Sequence, residues 1–196
     1  MTQHPTFLTR AALAGLIALA CIAASGCVPL VVGAAVGGTA LVATDRRSVG
    51  AQADDEAIEL KYAQSRSNRF GDAVHINVTS YNGILLLTGE VPDAATKAAL
   101  AELARTTDRV RRVHDETAVR PPTPMSERTN DTYITSKVKA RFVEQNKFSA
   151  THVKVVTERG IVYLMGLVRP DEADAAAQVA ASTSGVARVV KLFEPI

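Results

Sequence analysis

The chain is short of the residues on which most site chemistry is built. Its 196 residues include no tryptophan, 5% aromatics, two cysteines and four histidines. Apart from His4 the histidines are His75, His114 and His152, each isolated from any cysteine and set in or beside an expected strand. His114-Asp115-Glu116 reads as a polar strand stretch, because neighbouring strand residues point to opposite faces and do not converge on a metal. The chain has no GxxxxGK[ST], no GxSxG and no HExxH. Gly83, Gly89, Gly160 and Gly166 read as turn and strand-end residues, not as a phosphate cradle. No enzyme, cofactor or metal is expected. Neither sign of charge prevails: 22 basic against 20 acidic residues, net +2, give no case for nucleic acid.

What is present begins with a secretory pattern. Arg10 supplies a positive n-region, and residues 11–24 form an apolar stretch too short to span a bilayer comfortably. Ala24-Ser25-Gly26-Cys27 follows, small residues before a cysteine as in the lipobox of bacterial lipoproteins, although Ala24 stands where leucine is common. Cys21 is the competing acceptor. With residues 1–26 removed as a signal peptide and Cys27 acylated, no free thiol remains, which excludes disulfides, thiol catalysis and cysteine-held metals. Val28 follows the cysteine, where an aspartate would resemble the signal for inner-membrane retention, so sorting to the outer membrane is the default. Residues 27–44 carry no charge and are rich in Gly and Ala. They read as a tether at the lipid surface, with a second membrane-inserted segment as the alternative.

The rest of the chain is a repeat. Residues 54–67 have the pattern of a helix with acids in its first turn, residues 73–81 alternate as a strand, Asn82-Gly83 is a hairpin turn, and residues 84–91 are almost continuously apolar, as in a central strand. An alanine-rich helix from Pro92-Asp93 to about Thr106 and a strand over 110–119 complete the unit. Residues 120–130, with three prolines and no apolar period, are a linker. The plan then restarts at Asp131: Ile134, Val138 and Phe142 form one apolar helical stripe, and Gly83, Gly89 and Val91 recur at Gly160, Gly166 and Val168. The fold class is α+β. Two tandem domains, 45–119 and 131–196, are each ordered α-β-β-α-β, with two helices on one face of a three-stranded sheet.

The amphipathic first helix, the turn glycine, Leu-Leu-Leu-Thr-Gly at 85–89 or Val-Tyr-Leu-Met-Gly at 162–166, and the terminal Gly-Val-x-x-Val at 185–189 resemble the BON domain. Two such domains behind a lipobox are similar to dual-BON outer-membrane lipoproteins. The resemblance implies an acylated (palmitate-bearing) lipoprotein that faces the periplasm, binds anionic phospholipid, and supports envelope integrity under stress and at cell division. It also implies the β-barrel assembly machinery as a candidate partner. The lipid-contacting element of such proteins is the first helix of the second domain, and Tyr133 stands here where tryptophan is frequent.

Charge singles out the same helix. Residues 54–67 sum to −2, and residues 131–147 sum to +2 through Lys137, Lys139, Arg141 and Lys147 against Asp131 and Glu144. Only the second suits an anionic surface, at about 1 kcal/mol per basic residue before screening. The expected lipid-binding residues are therefore Tyr133, Lys137, Lys139, Arg141, Val143 and Lys147, with Val143 either in the headgroup region or at the edge of the core. The plainer reading is a solvated helix kept soluble by its lysines. A second functional class also stands: a periplasmic scaffold for an outer-membrane assembly protein or a peptidoglycan-associated partner.

Overall fold

A computed structural model describes residues 45–196; the expected signal peptide, Cys27 and the expected tether lie outside them. Helix α1 spans Val49–Phe70, beginning where the Ser48 hydroxyl accepts from Ala51 N at 3.0 Å. This start precedes the expected one at Asp54, so no acid sits in its first turn, and Asp55 turns inward. Strands β1 (His75–Tyr81) and β2 (Ile84–Val91) pair antiparallel across Asn82-Gly83, whose φ angles of 50° and 73° are those a two-residue primed turn requires. Helix α2 (Ala94–Thr106) is capped by Asp93. The expected strand over 110–119 is two pieces, β3 (Arg112–Asp115) and β4 (Ala118–Val119), both parallel to β2. The break has a local cause: Asp115 Oδ1 accepts from Thr117 N at 3.0 Å and from Thr117 Oγ1 at 2.6 Å, a side-chain turn that competes with the ladder.

The second unit repeats the order with α3 (Met125–Gln145), β5 (Lys154–Glu158), β6 (Ile161–Val168), α4 (Pro170–Ala181) and β7 (Arg188–Pro195). Strand β6 pairs antiparallel with β5 and parallel with β7. Helix α3 starts at Met125, inside the stretch read as linker. Prolines 121, 122 and 124 end before it, and Pro124 occupies its N-cap, a position that asks for no intrahelical N–H. The remaining linker is held down: Thr123 is buried and donates from its N–H and hydroxyl to the Glu90 carboxylate.

Helices cover one face of each sheet, as expected. Ile58, Tyr62, Leu100 and Ala104 meet Ile76, Leu85, Leu87 and Val91 in the first unit. Ile134, Val138, Phe142 and Val179 meet Val155, Val162 and Leu164 in the second. The opposite sheet faces pack on each other through Tyr81, Ile84 and Leu86 against Tyr163, Met165 and Leu192. Four layers result, helices outside and two sheets inside, which is why β2 is buried at every position and opens on four consecutive apolar residues, Ile84 to Leu87: both its faces are covered. Gly89 and Gly166 recur for one reason, since a Cβ there would stand 2.1 and 2.3 Å from the carbonyl oxygens of His75 and His152.

Polar bridges close the sandwich along both sides. Asn77 donates to Glu158 at 3.0 Å and Lys154 to Glu59 at 3.2 Å on one side; Glu194 accepts from Arg111 and Asn82 on the other. Among the described residues no helix is long and apolar enough to cross a membrane.

Candidate functional site

Helix α3 is fixed from below at three levels. Ile134, Val138 and Phe142 enter the core, and the Phe142 and Phe148 rings meet edge to face at 4.9 Å. Buried Asp131 accepts from Arg159 N at 2.7 Å and Gly160 N at 2.8 Å, tying the helix to the β5–β6 turn. Asp55 does the same for the first hairpin, accepting from Asn82 N and Gly83 N at 2.6 and 2.8 Å.

With that face committed, the outward one is settled by the helical period. Met125 and Val143, 18 residues apart, lie on one line about 27 Å long, and Tyr133 stands beside it. Their exposures are 71%, 69% and 62%, large for apolar side chains. Between them Thr129, Thr132 and Ser136 turn their hydroxyls back on the carbonyls of Met125, Arg128 and Thr132. Those donors are already used, so the stripe offers less polarity than its sequence suggests. Val143 is exposed, not at the edge of the core.

The expected cations separate into two groups. Lys137 lies 4.6 Å from the Tyr133 ring centroid and donates to Ser184 O; Arg141 donates to Thr183 Oγ1 at 3.0 Å and Val179 O at 3.3 Å. Both therefore serve groups at the C-terminal end of α4, where carbonyls lack intrahelical partners. Lys139 and Lys147 are exposed and make no ion pair among the described residues. Lys139 and Val143 share the flank that faces the first domain, whereas Lys137 and Arg141 share the flank that faces α4. On α1 some of the charges are paired, Lys61 with Asp108 at 3.0 Å, Asp54 with Arg109 and Glu59 with Lys154 at 3.2 Å.

Two features escaped the sequence reading. Met125 was hidden by the prolines before it. The other is the strap formed by residues 45–48, which clasps both domains. Arg46 grips Glu172 with two bonds of 2.5 and 2.8 Å and donates to Leu167 O at 2.9 Å. The Arg46 guanidinium holds the Glu172 carboxyl down at about 2. Arg47 bonds Asp45 and Asp55, each at 2.7 Å, with its guanidinium 4.1 Å from the Tyr81 ring centroid. Two adjacent arginines ahead of α1 were the available signal, but nothing in their spacing points to Glu172.

None of His75, His114 and His152 gathers a ligand set: no group of three or more His, Cys, Asp or Glu able to hold a metal occurs among the described residues.

The repeat has a family counterpart: the BON domain model matches residues 54–121 and again residues 130–194. The chain belongs to the BON-domain family. This dual-BON chain is 38% identical over 173 residues to outer membrane lipoprotein DolP of Haemophilus influenzae, covering 86% of this chain and 88% of that one. It is 35% identical to a 21 kDa hemolysin of Actinobacillus pleuropneumoniae, covering 76% and 78% respectively. Osmotically-inducible protein Y of Escherichia coli is 28% identical over 152 residues, 76% of each chain. The dual-BON chain is thus DolP-like over most of its length and belongs to a non-enzymatic family. Both BON matches stop short of the strap, which precedes the first of them.

Proposed function

We propose that this DolP-like lipoprotein is anchored to the outer membrane by acylated Cys27, faces the periplasm, and lays α3 on an anionic phospholipid surface. One observation carries the reading: the outward face of α3, with Met125 and Val143 along one line and Tyr133 about 80° round from it, presents apolar groups and internally bonded hydroxyls, with unpaired Lys139 and Lys147 among them. Tyr133 is suited to the headgroup region because its ring is apolar and its tip polar. The lysines add attraction of about 1 kcal/mol each to an anionic leaflet, reduced by Glu144 and by salt. Lys137 and Arg141 contribute long-range charge and, more directly, the seating of α3 against α4. Such binding places the domains at the envelope surface where a role in integrity and division would be exercised.

The test is co-sedimentation of the mature chain, residues 27–196 carrying Cys27→Ser, with vesicles containing phosphatidylglycerol and with purely zwitterionic vesicles. Binding to the anionic set, weakening as salt rises, supports the proposal. Binding to neither leaves acylation as the only attachment and moves the function to a protein partner, the β-barrel assembly machinery being the first to assay.

A further inference from the structure

Beside the C-terminal half of α3 runs a groove of about 430 Å³, within the roughly 300–1,000 Å³ range of small-molecule sites. One wall is the strap and the end of β1, the other is α3 and the start of β5. Tyr81, Val143 and Val153 make an apolar lining; Arg47, Lys139 and Lys154 bring positive charge to it, and Asp45 brings one carboxylate, which Arg47 neutralises.

These cations are not equivalent. Arg47 is balanced by Asp45 and Asp55 and packed on Tyr81, so it serves as wall. Lys154 is half-exposed and divides its donors between Glu59 and Ser80 O, each at 3.2 Å. Lys139 is exposed and has no ion pair among the described residues. A free cation beside an apolar trough complements a molecule with an anionic head and an apolar chain. A bare anion would leave the trough empty, and an uncharged chain would leave Lys139 unused.

We propose that this groove holds one anionic phospholipid, its phosphate at Lys139 and Lys154 and the start of an acyl chain against Tyr81, Val143 and Val153. The inference rests on the lipid-surface reading of α3 and adds a single-molecule site at its flank. Val143 belongs to both: it ends the exposed stripe and lines the groove. The headgroup would then be read between the two domains, with the strap forming part of the site.

The experiment titrates the Cys27→Ser mature chain with a lauroyl lysophosphatidylglycerol below its micelle concentration, following the Val143 and Val153 NMR signals. Saturable shifts are expected, with affinity at least tenfold weaker in Lys139→Glu and in Thr151→Trp, which fills the groove from an exposed position. Glycerol 3-phosphate and lauroyl lysophosphatidylcholine should each bind at least tenfold more weakly. Equal binding of either control, or unchanged affinity in a folded Lys139→Glu protein, overturns the groove. Vesicle co-sedimentation separates the two readings. Intact vesicle binding without saturable shifts sinks the groove and leaves the α3 surface standing. Saturable shifts in a Tyr133→Ala variant that no longer sediments with vesicles support the groove as a site of its own.

Discussion

Arg46 and Glu172, 126 positions apart in sequence, form a bidentate ion pair that joins the strap before the first BON domain to the first turn of α4 in the second. Glu172 is nearly inaccessible and also accepts from Arg169 N at 2.9 Å, closing its own helix start. Arg46→Ala would leave that carboxylate with its capping bond and a 3.4 Å ion pair to Arg169, but without its bidentate partner. The expected cost is about 2 kcal/mol, since a buried charge that loses one partner is more expensive than the net worth of the pair. Urea unfolding measures it, and Arg46→Lys should recover part of the loss.

The same pair sets a pH dependence. The Glu172 carboxyl lies at about 2, chiefly through its bond to Arg46, against an ordinary value of 4.5. A carboxyl held low in the folded state stabilises the fold above its unfolded value, and that contribution fades as pH falls from about 4.5 to about 2. Thermal midpoints across this window should fall more steeply for the parent protein than for Arg46→Ala. Parallel curves would detach Glu172 from acid stability.

On α3, charge reversal should give two different results. Lys139→Glu with Lys147→Glu is expected to weaken binding to phosphatidylglycerol vesicles about tenfold or more at low salt with no change in melting temperature, as both side chains are free. Arg141→Glu should lower the melting temperature as well, because it breaks the bonds to Thr183 and Val179. Paired sedimentation and melting curves distinguish the two.

Two glycines test conformation against space. Gly89→Ala, at φ 112° with a Cβ driven to 2.1 Å from the His75 carbonyl oxygen, should cost about 3 kcal/mol or more. Gly71→Ala, at φ 54° with open space around the added carbon, should cost only about 1–2 kcal/mol. Similar losses at both positions would mean that backbone strain, not the strand contact, governs Gly89.

The element order was readable because each piece has its own local signature. The period of Ile134, Val138 and Phe142, the Asn82-Gly83 turn and the equal spacing of Gly83 to Gly160 and Gly89 to Gly166 each follow from chain geometry that neighbours in sequence enforce. Boundaries were less legible. Proline at 121, 122 and 124 masked the first turns of α3, and the acids at Asp54 and Asp55 imitated a helix start that Ser48 provides. Of the candidate lipid residues, composition located the helix but could not divide its cations, because whether Lys137 is free depends on Ser184 and whether Arg141 is free depends on Thr183. Those partners lie in another element, and no short-range pattern connects them.

The sheet faces built around Tyr81 and Tyr163 carry a lesson about inheritance. Neither repeat has a finished surface: a chain cut at the prolines would yield two halves, each with a sticky apolar sheet face and each able to mate with the wrong copy. The duplicated module therefore survives as a pair, and a gene that lost either half would encode an aggregation-prone fragment, not a smaller version of the same protein.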